Sequence, residues 1–267
     1  MVLTRNVWGG LFMDFRGYLD ESSHERDGTF CLSCVLGHGL QWLHVEDGWR
    51  RCIERVNFKL AASGRTPITR YHASDCSSLR GDFRDWKQEE QREFTADLLR
   101  VLGESHLHVR SMTVDWEKYS DLIAREFDLS RIQKTMHCLV MIELLKAVGE
   151  EMTKLDAQGK ISLFHDRTNY DGALQHIFSA LINSPEFPHS PRFATMASLS
   201  WQDCIPLQPA DLFAFEACKQ FKRASTGIAP RKSFNLLAQL PHLAWKHQHI
   251  GAASLMNMSV RMKAVLQ

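Results

Sequence analysis

The chain has no stretch approaching the ~18 consecutive apolar residues of a membrane span. Its charge is balanced: the formal net charge is +1. That excludes tight, indiscriminate binding of nucleic acid through a global positive field, while leaving room for a local basic groove. The seven cysteines are odd in number and scattered, which suits reduced thiols rather than a disulfide framework. The opening MVLTRNVWGG lacks the charged, apolar, small-residue layout of a secretion signal. Together these absences lead to the expectation of a soluble, cytoplasmic protein.

Several motifs are missing as well. There is no GxxxxGK phosphate loop, which disfavours an NTPase, and no GxSxG elbow for a nucleophilic serine. CLSC at 31–34 has no second CxxC, so the four ligands of a structural zinc are not available. Its strand-like alternation reads as two buried thiols, and it does not open a helix as redox pairs do. The 13 histidines, including the late HLAWKHQH, show no regular ligand spacing and read as helical surface positions.

With 267 residues, 44% hydrophobic and 24% charged, the chain is long enough to bury one sizeable core as a single large domain. Residues 11–37 read as a hairpin: FRGYLDE, then SSHERDG as turn chemistry, then TFCLSCVLG. Residues 40–62 have helical spacing, with Trp42, Val45, Trp49, Ile53 and Val56 on one side. ITRYHA (68–73) reads as a short strand and ASDCSSLRGD as a polar loop. A helix near 86–103, a strand near 106–114 and helices near 116–126 and 130–155 follow. The last of these carries Ile132, Met136, Leu139, Val140 and Leu144 as an apolar stripe. KISLFHD reads as a strand, YDGALQHIFSALI as a helix, RFATMASLSW as a strand and LQPADLFAFEACKQFKR as a helix. From about residue 228 the chain reads as mostly helical. Alternating strands and helices predict an α/β fold with helices packed on a mixed sheet.

Three acids flanked by apolar sequence are the candidate chemistry. Asp20 ends or interrupts the first strand, Asp166 ends KISLFHD, and Asp211 falls in the first turn of the helix after LQP. Strand ends in one sheet, plus a following helix, can bring such carboxylates together. Their repulsion would raise their pKa values unless a cation lies between them, and Mg²⁺ or Mn²⁺ prefers such oxygen ligands. The competing readings are turn residues for Asp20, Glu21 and Asp166. For Asp211 the competing reading is a dipole-complementing acid behind Pro209 at the first helical position. Strand alternation pairs Tyr18 with Asp20 on one face and Leu19 with Glu21 on the other, so Asp20 is the favoured ligand. The same rule turns His165 away from Asp166. The basic run KQFKRASTGIAPRK, with Lys219, Lys222 and Arg223, either follows a phosphate backbone or is a helix C-terminus favoured by the dipole.

The order YLDES, YHASD, FHDRTNYDGAL, LQPADLFAF resembles the family called domain of unknown function 3800, from about residue 15 to 225. The resemblance implies a ribonuclease H-like mixed central sheet, placed over 1–227, and the residue pattern beyond it predicts a helical C-terminal extension over 228–267 packed on the same domain. It also implies Asp20 (with Glu21), Asp166 and Asp211 as ligands of Mg²⁺ or Mn²⁺. His72 matches the His of the family's His-Ala pair, a candidate proton shuttle, and Gln208 the Gln before its last acid. Two departures stand out: Pro209 where the family more often has an apolar residue, and SLSWQDCIP, which lacks the family's Lys. The function implied is a metal-dependent nuclease or related phosphodiester hydrolase acting on nucleic acid. The alternative is a non-catalytic module that keeps the fold and binds nucleic acid or protein.

Overall fold

Strands β1 (Phe15–His24) and β2 (Thr29–His38) form an antiparallel hairpin, which β3 (His108–Asp115) extends as a meander. β4 (Ile161–Asp166) returns parallel beside β1, and β5 (Phe193–Leu199) lies parallel outside it. β6 (Ala244–Ile250) closes the opposite edge, parallel to β3, giving the order β5-β4-β1-β2-β3-β6. The computed structural model describes residues 14–24, 28–123, 132–155, 159–202 and 204–255.

Eight helices of the described residues surround this sheet: α1 (Gly39–Ala62), α2 (Ala73–Ser78), α3 (Gln88–Gly103), α4 (Trp116–Ile123), α5 (Ile132–Leu155), α6 (Asp171–Ile182), α7 (Leu207–Ser225) and α8 (Lys232–Ala238). The parallel pairs need crossovers long enough to carry helices, which then cover both faces. On one face Leu19, Leu36, Ile161 and Leu163 pack with the apolar sides of α5 and α6. On the other, Tyr18, Val35 and Val109 meet α1, α3 and α7. β2 is buried along nearly its whole length, as a central strand between two cores must be. α7 is buried continuously from Leu207 to Cys218, so it reads apolar all round rather than in a stripe. Fully buried leucines such as Leu98 and Leu102 contribute roughly 1.5–3 kcal/mol each.

The α/β layering agrees with the sequence pattern, and Trp42, Val45 and Trp49 are buried on α1 as expected. Ile53 and Val56 are only partly buried. Met136, Leu139, Val140 and Leu144 are buried, while the side chain of Ile132 lies outside the described residues. Cys31 and Cys34 are buried in β2, and burial pushes the Cys31 thiol up to about 12.

Three expectations are corrected. ITRYHA is extended but belongs to no strand, because side chains take its backbone groups: Asn57 bonds both the N–H and the carbonyl of Ile68, Asp82 accepts from Thr69 N–H, and Gln208 accepts from Tyr71 N–H. The polar run after it is not a loop, since ASDCSS forms α2. The region after 228 is not mostly helical: α8 is short, and AWKHQHI is edge strand β6. Trp245 there packs on Phe213 and Phe234, and His247 and His249 bond Thr113 of β3. Residues 256–267 lie outside the described residues.

Candidate active site

β1 runs on to His24, so Asp20 and Glu21 lie within a strand and not in the hairpin turn. The alternation of the strand sends them to opposite faces. Glu21 goes with Leu19 to the α5 side, where its Oε2 stands 2.6 Å from Nε2 of buried His137. Asp20 goes with Tyr18 to the α7 side. The parallel register pairs Tyr18 with Phe164 and Leu19 with His165, so one step further Asp20 meets Asp166, the last residue of β4. The stacked rings of Tyr18 and Phe164, 5.3 Å between centroids, confirm that both strands present these positions to one face.

Asp211 reaches the same place from α7. The helix starts at Leu207, two residues before Pro209, because Leu207 and Gln208 already make turn bonds to Cys204 and Ile205. Asp211 therefore falls in the second turn, and the first turn contains no acid. An N-terminal dipole role fades beyond the first turn, so that explanation for Asp211 is removed. Its carboxylate is buried, and its Oδ2 accepts from the N–H of Ala73 at 2.7 Å.

Electrostatics link the three. Burial raises the Asp20 carboxyl well above the ordinary carboxylate value; the charge of Asp211 adds to this, and those of Glu21 and Asp166 follow. Burial also raises Asp166, opposed by bonds from the N–H groups of Trp201 and Arg167 and by the charge of Arg70. Burial raises Asp211, opposed by the charge of His72, the Ala73 N–H bond and Arg70. The three raised carboxyls share burial as their main cause, and at Asp20 the charges of Asp211 and Asp166 add to it.

The flanking cations come from the irregular segment that side chains hold in place. Arg70 lies over the Trp201 ring, 3.0 Å from its centroid; burial lowers its guanidinium from the ordinary value, opposed by the charges of Asp211, Asp75, Asp82 and Asp166. His72, half-buried at the start of α2, has Nδ1 2.8 Å from Oδ2 of Asp75. Gln208 is buried and uses its carbonyl oxygen to accept from Trp49 Nε1 and from Tyr71 N–H, each at 2.9 Å. It fastens α1, α7 and the segment carrying Arg70 and His72. His165 turns to the α5 face, with Nδ1 bonded to the Asp166 carbonyl. Lys219, Lys222 and Arg223 sit in the last turns of α7, 8 to 12 residues beyond Asp211, about 12–18 Å along the axis at the helical rise. The Arg223 Nε donates to the Ala229 carbonyl. Arg70 and Asp75 escape sequence reading: nothing in ITRYHA marks one cation among solvated ones, and Asp75 sits in a run that resembles a loop.

Among the described residues, no group of three or more His, Cys, Asp or Glu side chains stands ready to hold a metal ion. This arrangement does not fit a closed cage of the zinc type, which takes its full ligand set from the protein. It fits the donor chemistry of Mg²⁺, which usually takes one or two carboxylates and completes its shell with waters and substrate phosphates. The carboxylates of Asp20 and Asp166, at neighbouring positions of β1 and β4, are donors of the kind such an ion would take. No helix of the described residues is long and apolar enough to cross a membrane. Comparisons with protein-family models, with curated proteins and with solved structures give no match.

Proposed function

We propose that the chain is a Mg²⁺- or Mn²⁺-dependent phosphodiester hydrolase, a nuclease, on a ribonuclease H-like fold. What supports this reading is that Asp20 lies near enough to Asp211 and Asp166 for both charges to act on it, with all three carboxyls raised by burial. A three-stranded antiparallel meander, with β4 parallel beside its first strand and β5 parallel beyond β4, supports the fold, as does the resemblance of the motifs to the domain of unknown function 3800 family.

When bound, a divalent ion supplies charge neutralisation to a phosphate and acidifies a water. The chain's own residues prepare for this. Asp166 has Oδ1 fixed by two N–H donors, which leaves Oδ2 to face a ligand. Asp211 is aimed by the Ala73 N–H. Asp75 stands against Nδ1 of His72, which leaves Nε2 as the ring nitrogen to offer a leaving oxygen. Arg70 offsets part of the carboxylate charge and offers a guanidinium for a phosphate oxygen. Glu21, paired with His137 on the far face, acts on the site only through its charge.

The test is cleavage of labelled single- and double-stranded DNA and RNA with Mg²⁺ or Mn²⁺. Asp20→Asn, Asp166→Asn and Asp211→Asn should each abolish cleavage while circular dichroism stays native. Undiminished cleavage by all three ends the proposal. One observation favours a second reading, a non-catalytic module binding nucleic acid or protein: Arg70 already neutralises carboxylates in a site without three converging ligands. Titration with Mn²⁺ separates the two, because the module needs no divalent ion for its binding.

A further inference from the structure

A groove of about 450 Å³ opens next to Asp166, between α1, the ends of β4 and β5, and the loop entering α7. Its walls carry Arg50, Arg167, Ser198, Ser200, Glu46 and Cys204. Two features give it a direction. Arg167 directly follows Asp166 and donates its N–H to that carboxylate. The wall from 198 to 200 leads into Trp201, whose N–H donates to the same oxygen at 3.1 Å. The groove and the acid site therefore share a border, and Asp166 stands on it.

Two exposed arginines from separate elements face this space, and neither forms an ion pair with a described residue. That includes Glu46, four residues before Arg50 on α1, where an i,i+4 pair would be expected. Guanidinium groups offer forked donors matched to phosphate oxygens, and serine hydroxyls add short hydrogen bonds. The volume is that of a small-ligand pocket, enough for one nucleotide of a strand and not for the body of a duplex. From this we infer that the groove seats the backbone of a single-stranded polynucleotide, with Arg50 and Arg167 on successive phosphates and the next phosphodiester at the acids. Glu46 remains as an acceptor for a sugar hydroxyl or a base amine. This inference rests on the phosphodiesterase reading of the acids for the strand's path. It moves the phosphate contacts from Lys219, Lys222 and Arg223, at the far end of α7, to this groove.

Fluorescence anisotropy with labelled DNA and RNA strands of about 12 nucleotides, run in EDTA, reads binding without cleavage. The wild-type chain should bind them, and the Arg50→Ala/Arg167→Ala pair should bind about tenfold or more weakly. The pair should also flatten the slope of log K against log salt by about 1.4, two phosphates at roughly 0.7 each for single strands. Lys at both positions should restore most of the slope, and Lys219→Ala/Lys222→Ala/Arg223→Ala should change affinity less than twofold. Wild-type affinity and slope in the Arg50/Arg167 pair would overturn the inference. So would tighter binding of a duplex than of a strand, or equal affinity for a mononucleotide. A wild-type chain that binds the strand but never cleaves it with Mg²⁺ or Mn²⁺ refutes the hydrolase and leaves the groove standing.

Discussion

Replacing Asp20 with asparagine should make the protein more stable at neutral pH while removing its proposed activity. Asp20 is partly buried on β1, and both burial and neighbouring acids raise its carboxyl. An acid whose folded pKa exceeds its unfolded value binds more protons when folded. Its ionisation therefore costs stability as pH rises from the ordinary 3.8 through the raised folded value. Asparagine carries no charge at any pH and keeps the Oδ1 that accepts the Glu21 N–H at 2.7 Å. It removes the penalty and keeps the bond. A poorly compensated buried polar group costs about 1–3 kcal/mol, which at about 2–4 °C per kcal/mol for a chain of this size is a rise in Tm of about 2–12 °C. Urea or thermal melts at pH 8 and pH 4 measure it: the variant should gain at pH 8, and the difference should shrink at pH 4. Saturating Mn²⁺ should stabilise the wild type by about 2.7 kcal/mol at a hundredfold excess over Kd and the variant much less. A variant less stable than wild type at pH 8, or a difference independent of pH, would refute the crowded-carboxylate argument.

Other perturbations probe the frame that holds the site. Glu151 is buried against buried Arg110 on β3 and takes Nδ1 of His108 at 2.8 Å. Glu151→Gln strands that guanidinium and should cost about 3–5 kcal/mol in urea melts; a loss under about 1 kcal/mol would show the pair to be solvated. Gln208→Leu leaves the Trp49 indole and the Tyr71 amide without an acceptor, an expected loss of about 2–6 kcal/mol at about 1–3 per orphaned donor. Faster hydrogen exchange at Tyr71 should accompany it, and unchanged exchange would contradict the fastening role. A Cβ at Gly17 would sit 2.7 Å from Leu163 Cδ2 and 3.0 Å from Cys34 Sγ, so Gly17→Ala must displace the Leu163 side chain. We expect about 1–3 kcal/mol of destabilisation; wild-type melting would show that the Leu163 side chain yields freely.

Much of this layout was legible because periodicity speaks for elements with one wet face. The alternation of FRGYLDE assigned Tyr18 and Asp20 to one face, and the helical spacing of Trp42, Val45 and Trp49 marked α1. It failed where tertiary partners replace local ones. ITRYHA has β-forming residues, yet Asn57, Asp82, Gln208 and Asp211 take the hydrogen bonds a neighbouring strand would have taken. β6 lies along an edge and is only half-buried or exposed until Ile250, so its alternation shows no apolar run and its histidines look like helix surface. The start of α7 was misplaced because Pro209 fits a first-turn position generally and not the first residue alone. Arg50 and Arg167 are ordinary surface arginines in sequence, and only the groove between their elements distinguishes them.

The bond from Ala73 N–H to Asp211 ties the approach segment to the very group whose charge the site regulates. A carboxylate is a stronger acceptor than its acid, so every change of ionisation or ligation at Asp211 alters the grip on residues 70–73. Arg70 and His72 travel with that grip. The amide of Ala73 is thus a natural reporter: its exchange rate and chemical shift register the occupancy of the carboxylates from outside the reaction itself.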